Sequence, residues 1–320
     1  MPRLAVMIGR RALLAAGALA AVGVTGAAVA VRSGRGPDRP AALTLATGPQ
    51  GGVFLEVGRD LAHAVEALSP GTRVTTLVTA ATVDNLQLLA TSAADLGLAS
   101  LDAAAVDDRV RDGRITAVSR IYDSLLHLVV PAESTVRTLG DCTGLRVSVG
   151  AAGSGTEFTT RRLLALAGVR PSAQVRLGQR EAMDALARGA VDAAFSLTGF
   201  PTPAIKELAA ARALRLVPLV AYAPTLEESI PRVYAPAAIP AGTYRGVDAV
   251  ETVFVPNLLL ARPGLADAAV ELVTQALLDP GSRRFWTHPD SRRIDVRTAI
   301  ATGPVTLHPA ALAWLRAHKP

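Results

Sequence analysis

From residue 41 onward the apolar positions alternate between short continuous runs and helical spacing. "AALTLATG" reads as a strand, and in "GGVFLEVGRDLAHAVEALSPG" the residues Phe54, Val57, Leu61, Val65 and Leu68 repeat at helical intervals before a Ser-Pro-Gly stop. "TRVTTLVT" predicts a second strand, "TVDNLQLLATSAA" a second helix and "DLGLAS" a third strand. "AVSRIYDSLLHLVVPAES" carries a strand pair or one long strand. The plan then restarts: "LRVSVG" is a strand, "TEFTTRRLLALAG" a helix, "AQVRLG" a strand, "REAMDALARG" a helix and "AVDAAFSLTG" a strand.

The two passages match in detail. "LQLLATSAADLGLAS" corresponds to "MDALARGAVDAAFSL", with Asp95 opposite Asp192, and the loop "TGPQGGVF" corresponds to "AAGSGTEF". The fold class this predicts is α/β, with two similar lobes and short, apolar, buried parallel strands. The long apolar run in "ETVFVPNLLLARPG" then crosses back to complete the first lobe. This puts lobe I at 41–130 and 253–320 and lobe II at 131–252, with crossings near Val130-Pro131 and Val253–Pro256.

Composition alters this picture at the N-terminus. "GRRALLAAGALAAVGVTGAAVAVRSGRGPDRP" holds a twin arginine, an uncharged run over residues 12–31 and a Gly/Pro/Arg linker. Residues 1–40 therefore read as a twin-arginine-like export signal, or as a membrane anchor plus linker, with Ala28-Val29-Ala30 offering a small-x-small cleavage site. No cysteine follows the run, which excludes a lipid anchor. Six arginines and one aspartate lie in this segment, so without it the net charge falls from +6 to about +1. A near-neutral remainder has no electrostatic footprint for a nucleic acid. Cys142 is the only cysteine and the five histidines show no metal-ligand spacing, so no metal or other cofactor is expected.

The candidate chemistry sits in "VSVGAAGSGTEFTTRRLLALAG". A Walker loop would need lysine where Thr156 stands, and a dinucleotide loop would need glycine where Phe158 stands. The nucleophile elbow fails around Ser154, flanked at the required spacing by Ala152 and Thr156. Ser154 and Glu157 instead form a capping box that starts a helix at Gly155. Glycine lets a ligand approach the backbone, and the free N–H groups of a helix start favour an anion. "TGPQGGVF" prepares a similar helix start in the first lobe, so two such ends facing one cleft can hold a small carboxylate without arginine.

Other positions read less sharply. Thr82 and Asn85 sit at a helix start and suit capping or binding. Ser100 and Asp102 follow a strand end, where α/β clefts take ligands, but equally suit an exposed turn. Tyr122 fits a cleft wall or the core. Pro201 and Pro203 in "LTGFPTPAI" restart a helix. His63 and His127 are the candidate bases for an enzyme on such a fold; neither has a catalytic partner adjacent in sequence.

The motifs "TGPQGGVFLEVG", "VDNLQLLATSAADLGLAS", "RIYDSLLHLVV", "VSVGAAGSGTEFTTRRLL", "GFPTPAIKELA" and "IPAGTYRGVDAVETVFVPNLLL", in this order, resemble the TAXI group of TRAP-transporter solute receptors. The resemblance covers most of residues 42–262. It implies a type II periplasmic-binding-protein fold with a central hinge cleft, acting outside the cytoplasm. It implies a non-catalytic receptor that captures a small carboxylate, a glutamate-like amino acid or another organic acid, and delivers it to ion-gradient-driven TRAP permease subunits. Carried over, the ligand contacts are Gly51, Gly52, Val53, Phe54, Asn85, Ser154, Gly155, Thr156, Glu157, Thr198 and Gly199. The chain departs from the family where Ala80-Ala81-Thr82 replaces Gly-Gly-Ser and Ser100-Leu101-Asp102 replaces Gln-Ser-Asp. A membrane-tethered sensor and an enzyme on the same fold are the alternatives.

Overall fold

The computed structural model describes residues 39–318, and the expected export or anchor segment lies outside them. The first half runs β1 (Ala42–Ala46), α1 (Val53–Leu68), β2 (Arg73–Leu77), α2 (Thr82–Ala90), β3 (Leu96–Ser100), α3 (Leu101–Val106), α4 (Asp108–Arg111) and β4 (Thr116–Pro131). The second runs β5 (Arg146–Ser148), α5 (Gly155–Leu166), β6 (Ala173–Val175), α6 (Gln179–Ala187), β7 (Ala193–Thr198), α7 (Pro203–Ala211) and β8 (Leu214–Leu216). Then follow α8 (Ala223–Ser229), β9 (Ala235–Ile239), β10 (Val250–Ala261), α9 (Asp267–Leu278), α10 (Val296–Ala299) and α11 (Pro309–Ala317).

The strands form one sheet in the order β2-β1-β3-β10-β4-β7-β5-β6, with β8 on β4 and β9 on β10. In each half the first strand lies between the second and third, all parallel. The internal repeat extends to single atoms. Asp95 Oδ2 accepts the Thr44 N–H of β1 at 2.9 Å, and Asp192 Oδ2 accepts the Arg146 N–H of β5 at 2.8 Å. Each carboxylate also holds an arginine: Arg262 Nε is 2.8 Å from Asp95, and Arg146 Nη2 is 2.6 Å from Asp192. The central strands β3 and β7 are wholly buried, as a sheet covered on both faces requires.

"AVSRIYDSLLHLVVP" forms one strand, not a pair. With β10 it ties the halves together, antiparallel, through the pairs Phe254–Leu125 and Pro256–Asp123. Along β4 the second partner changes at Leu125, which faces both Phe254 and Thr198. Val130 and Pro131 lie further along, where β4 pairs with β8. The strand stays extended through the change, with no proline or glycine to mark it, and Pro131 marks only where the strand ends. On β10 the neighbour changes from β9, paired as far as Phe254, to β3, paired from Asn257.

Candidate functional site

Two glycine turns set the geometry. At the first, Gly52 is the N-cap of α1, has extended backbone and provides no side-chain cap. At the second, Ser154 caps α5, its hydroxyl accepting the Glu157 N–H at 3.0 Å. The reciprocal half of the capping box differs from expectation: Glu157 Oε2 accepts the Gly153 N–H at 2.9 Å, while Ser154 N–H goes to the Ala151 carbonyl. Gly150 makes this possible, because a Cβ there would lie 2.7 Å from the Glu157 nitrogen. Burial raises the Glu157 pKa, but the Gly153 N–H and the guanidinium groups of Arg176 and Arg161 outweigh it and hold the carboxyl below its usual range.

The N–H groups of Val53 and Phe54 in α1, and of Gly155 and Thr156 in α5, have no partner among the described residues. Both ends open into one cavity of about 560 Å³, counting the part open to solvent. A third helix start, Gly178-Gln179 of α6, also lines it. Phe54, Leu177 and Phe195 supply apolar wall, and Ser100, Tyr122, Ser124, Thr198 and Asn257 supply polar atoms. No lining residue carries a charge.

The predicted site residues divide into two groups. Gly52, Val53, Phe54, Ser100, Tyr122, Ser154, Gly155, Thr156 and Thr198 line the cavity, whereas Gly51, Asn85, Asp102, Glu157 and Gly199 stand behind its walls. Asn85 is a strut: its Nδ2 donates to the carbonyls of Thr47 and Leu98, each at 2.7 Å, fixing the ends of β1 and β3. Glu157 is spent on its own turn and on Arg176, 2.6 Å away. Asp102, in place of an exposed turn, is buried and joins the halves, accepting from Thr159 Oγ1 of α5 and from Tyr234 Oη at 2.9 Å. Burial raises its pKa. Gly199 packs against Asp290, whose Oδ2 would overlap a Cβ there.

Contacts across the cleft are close. A Cβ on Gly155 would lie 2.6 Å from Ser100 Oγ and 2.8 Å from Thr82 Oγ1, so glycine is required for this approach. The Gly153 carbonyl accepts from Val83 N–H at 3.0 Å and Asp84 N–H at 3.2 Å, occupying the start of α2. In the same way the Gly51 carbonyl reaches Ala204 N–H of α7 at 3.4 Å. Ala81, the N-cap of α2, has φ 88°, a conformation favouring glycine. Behind α7, Asp60 of α1 accepts from Thr287 and Ser291, seating a loop whose His288 Nε2 lies 3.1 Å from the Pro201 carbonyl.

The candidate bases lie elsewhere. His63 is exposed on α1. His127 is buried between the Leu125 carbonyl and Tyr244 Oη, and burial lowers its pKa to about 4. Burial raises the Cys142 thiol to about 11, as suits a structural thiol. Among the described residues there is no cluster of His, Cys, Asp or Glu able to hold a metal, and no helix long and apolar enough to cross a membrane.

Sequence reasoning placed α6 as a helix but did not bring its start into the site, and it missed Asn257. Gly178 before "QREAM" is a third glycine at a helix start, and Asn257 is a lone amide in the apolar run "VFVPNLLL". Both signals were visible.

Residues 45–317 match the family model described as NMT1-like. The chain belongs to the NMT1-like family. Among solved structures, the NMT1-like chain is similar to the periplasmic binding protein BugD at 13% identity, covering 88% of this chain and 94% of that one, with a TM-score of 0.52. It is similar to a protein described as a periplasmic transporter at 12% identity, with coverage of 88% and 93% and a TM-score of 0.51. XAC2383 from Xanthomonas citri, bound to chloride ion, matches at 13% identity with coverage of 87% and 96% and a TM-score of 0.50. At these identities the likeness concerns the fold, which is the two-lobed periplasmic-binding architecture with a central cleft.

Proposed function

We propose that this NMT1-like chain is a solute receptor that closes its two lobes around a small organic acid. The observation that carries the reading is the cavity itself: it has no charged wall, and the starts of α1, α5 and α6 open into it. Unpaired N–H groups at a helix start attract an anion, and each such end contributes roughly 0.3–2 kcal/mol to holding one. Lobe I supplies Gly52, Val53 and Phe54, and lobe II supplies Ser154, Gly155 and Thr156. Gly51, Asn85, Asp102, Glu157 and Gly199 act by positioning these turns. The lobes are divided as read from the sequence, with the bend on β4 moved to Tyr122–Leu125, where its sheet partner changes.

In this reading the receptor works outside the cytoplasm, exported or tethered through residues 12–31, and hands its acid to a membrane permease. The TAXI-like motifs favour permease subunits of the TRAP type. Binding free energy goes into lobe closure, not into bond making.

A thermal-shift screen of the full chain against monocarboxylates, dicarboxylates, oxo-acids and amino acids tests the proposal. An acid at 100 times its Kd is expected to stabilise the protein by about 2.7 kcal/mol. No shift with any organic anion would remove the reading.

A further inference from the structure

We propose, on the basis of the acid-receptor reading, that Asn257 selects the ligand's second functional group and that this group is an uncharged hydroxyl. The preferred solute is then a small hydroxy acid, not an amino acid.

Asn257 sits where β10 slips register against β4, between Pro256 and Leu258, and is wholly buried. Its Nδ2 donates to the Tyr122 carbonyl at 3.0 Å and to Ser124 Oγ at 2.8 Å. A carbonyl can only accept, so the amide nitrogen must face it and the orientation of the side chain is determined. Oδ1 is left as an acceptor with no partner among the described residues, on a residue that lines the cavity. A buried acceptor without a donor is costly, and a ligand that donates to it recovers the loss.

Three donors could serve: an ammonium, a hydroxyl or an amide N–H. The ammonium brings a positive charge into a cavity with no carboxylate in its wall. The nearby acids do not reach the cavity: Glu157 is held by Arg176 and Gly153, Asp102 by Thr159 and Tyr234, and Asp290, whose Oδ1 pairs with Arg293, keeps its unpartnered Oδ2 behind Gly199, outside the lining residues. The helix starts that attract the carboxylate also repel a cation. Phe54, Leu177 and Phe195 suit a short hydrocarbon body, on which a hydroxyl is the smallest donor that remains uncharged.

Calorimetry with matched trios tests the inference: lactate, alanine and propionate, then 2-hydroxyisovalerate, valine and isovalerate, then 3-hydroxybutyrate, 3-aminobutyrate and butyrate. In at least one trio the hydroxy acid is expected to bind about tenfold or more tightly than both other members. Asn257→Leu should bring that hydroxy acid to within about twofold of its unsubstituted analogue, and Asn257→Asp should move preference toward the amino acid. An amino acid preferred by the unmodified protein, or no advantage from the hydroxyl in any trio, would overturn this inference alone; the wild-type ranking decides even if a variant does not fold. Failure of every organic acid in the thermal-shift screen would remove the acid-receptor reading as well.

Discussion

The two glycine turns do the same work with different chemistry. Each sends a carbonyl across the cleft to a helix start in the opposite lobe, Gly51 to α7 and Gly153 to α2. The α5 turn is complete in itself, because Ser154 caps the helix and Glu157 ties back to Gly153. The α1 turn has a glycine N-cap and no side-chain acceptor. The lobe II end is therefore stiff before any ligand arrives, whereas the lobe I end leaves more of its backbone donors to be satisfied from outside. A pair built this way combines a preformed jaw with a receptive one.

The comparison breaks most completely at Gly155. Gly155→Val places a methyl-bearing carbon where Ser100 and Thr82 already stand, so closure is blocked and affinity for any bound acid should fall by at least about 100-fold. Calorimetry beside a circular-dichroism melt would show binding lost with the fold retained. Gly153→Val is no substitute, since the backbone there has φ 75° and the change would strain the turn itself.

Asp290 tests the α1 side next. It is buried against Gly199, paired with Arg293, and burial raises its pKa to about 7. A carboxyl whose pKa is raised in the folded state stabilises most when protonated. Its contribution is complete below the ordinary carboxylate pKa near 3.8 and declines as pH rises through about 7. Between pH 5 and 8 the wild type should lose roughly 2 kcal/mol of stability relative to Asp290→Asn, measured by urea unfolding of both proteins. His127, whose pKa is lowered, acts in the opposite direction but is common to both and cancels.

A smaller effect is expected at the receptive jaw. Gly52→Asp would give α1 its own anionic cap; the backbone there is extended, and the Pro49 carbonyl, 3.2 Å from where the Cβ would lie, must shift slightly to admit it. Acid binding should weaken about tenfold while thermal stability holds or rises. Equal loss of binding and stability would mean the turn was distorted instead. The smallest change is Ser154→Ala, which removes the α5 cap and should cost about 1 kcal/mol of stability in denaturant unfolding.

Much of this architecture was legible from pattern alone. The repeated strand-helix alternation, the Asp95–Asp192 correspondence and the Ser154 cap are local or periodic features, and local features survive in sequence. What escaped depended on the third dimension. Asn85 and Asp102 sit beside the cavity in sequence terms, yet their side chains turn inward to carbonyls and hydroxyls of other elements. Asn257 lies far from either turn along the chain and reaches the cavity only because β10 returns through the middle of the sheet. The change of neighbour on β4 falls within one continuous strand, with no proline or glycine beside Leu125 to announce it.

The Gly153 carbonyl on the start of α2 has one more consequence. Under the proposed function it is a built-in counterpart of the guest: one of the protein's own oxygens already occupies a helix start across the cleft, and the solute would supply the remaining contacts. Under the receptor reading, a trap with such an internal tongue would trade some grip for readiness, and a partner that responds to shape would have to distinguish a shut, empty state from a loaded one.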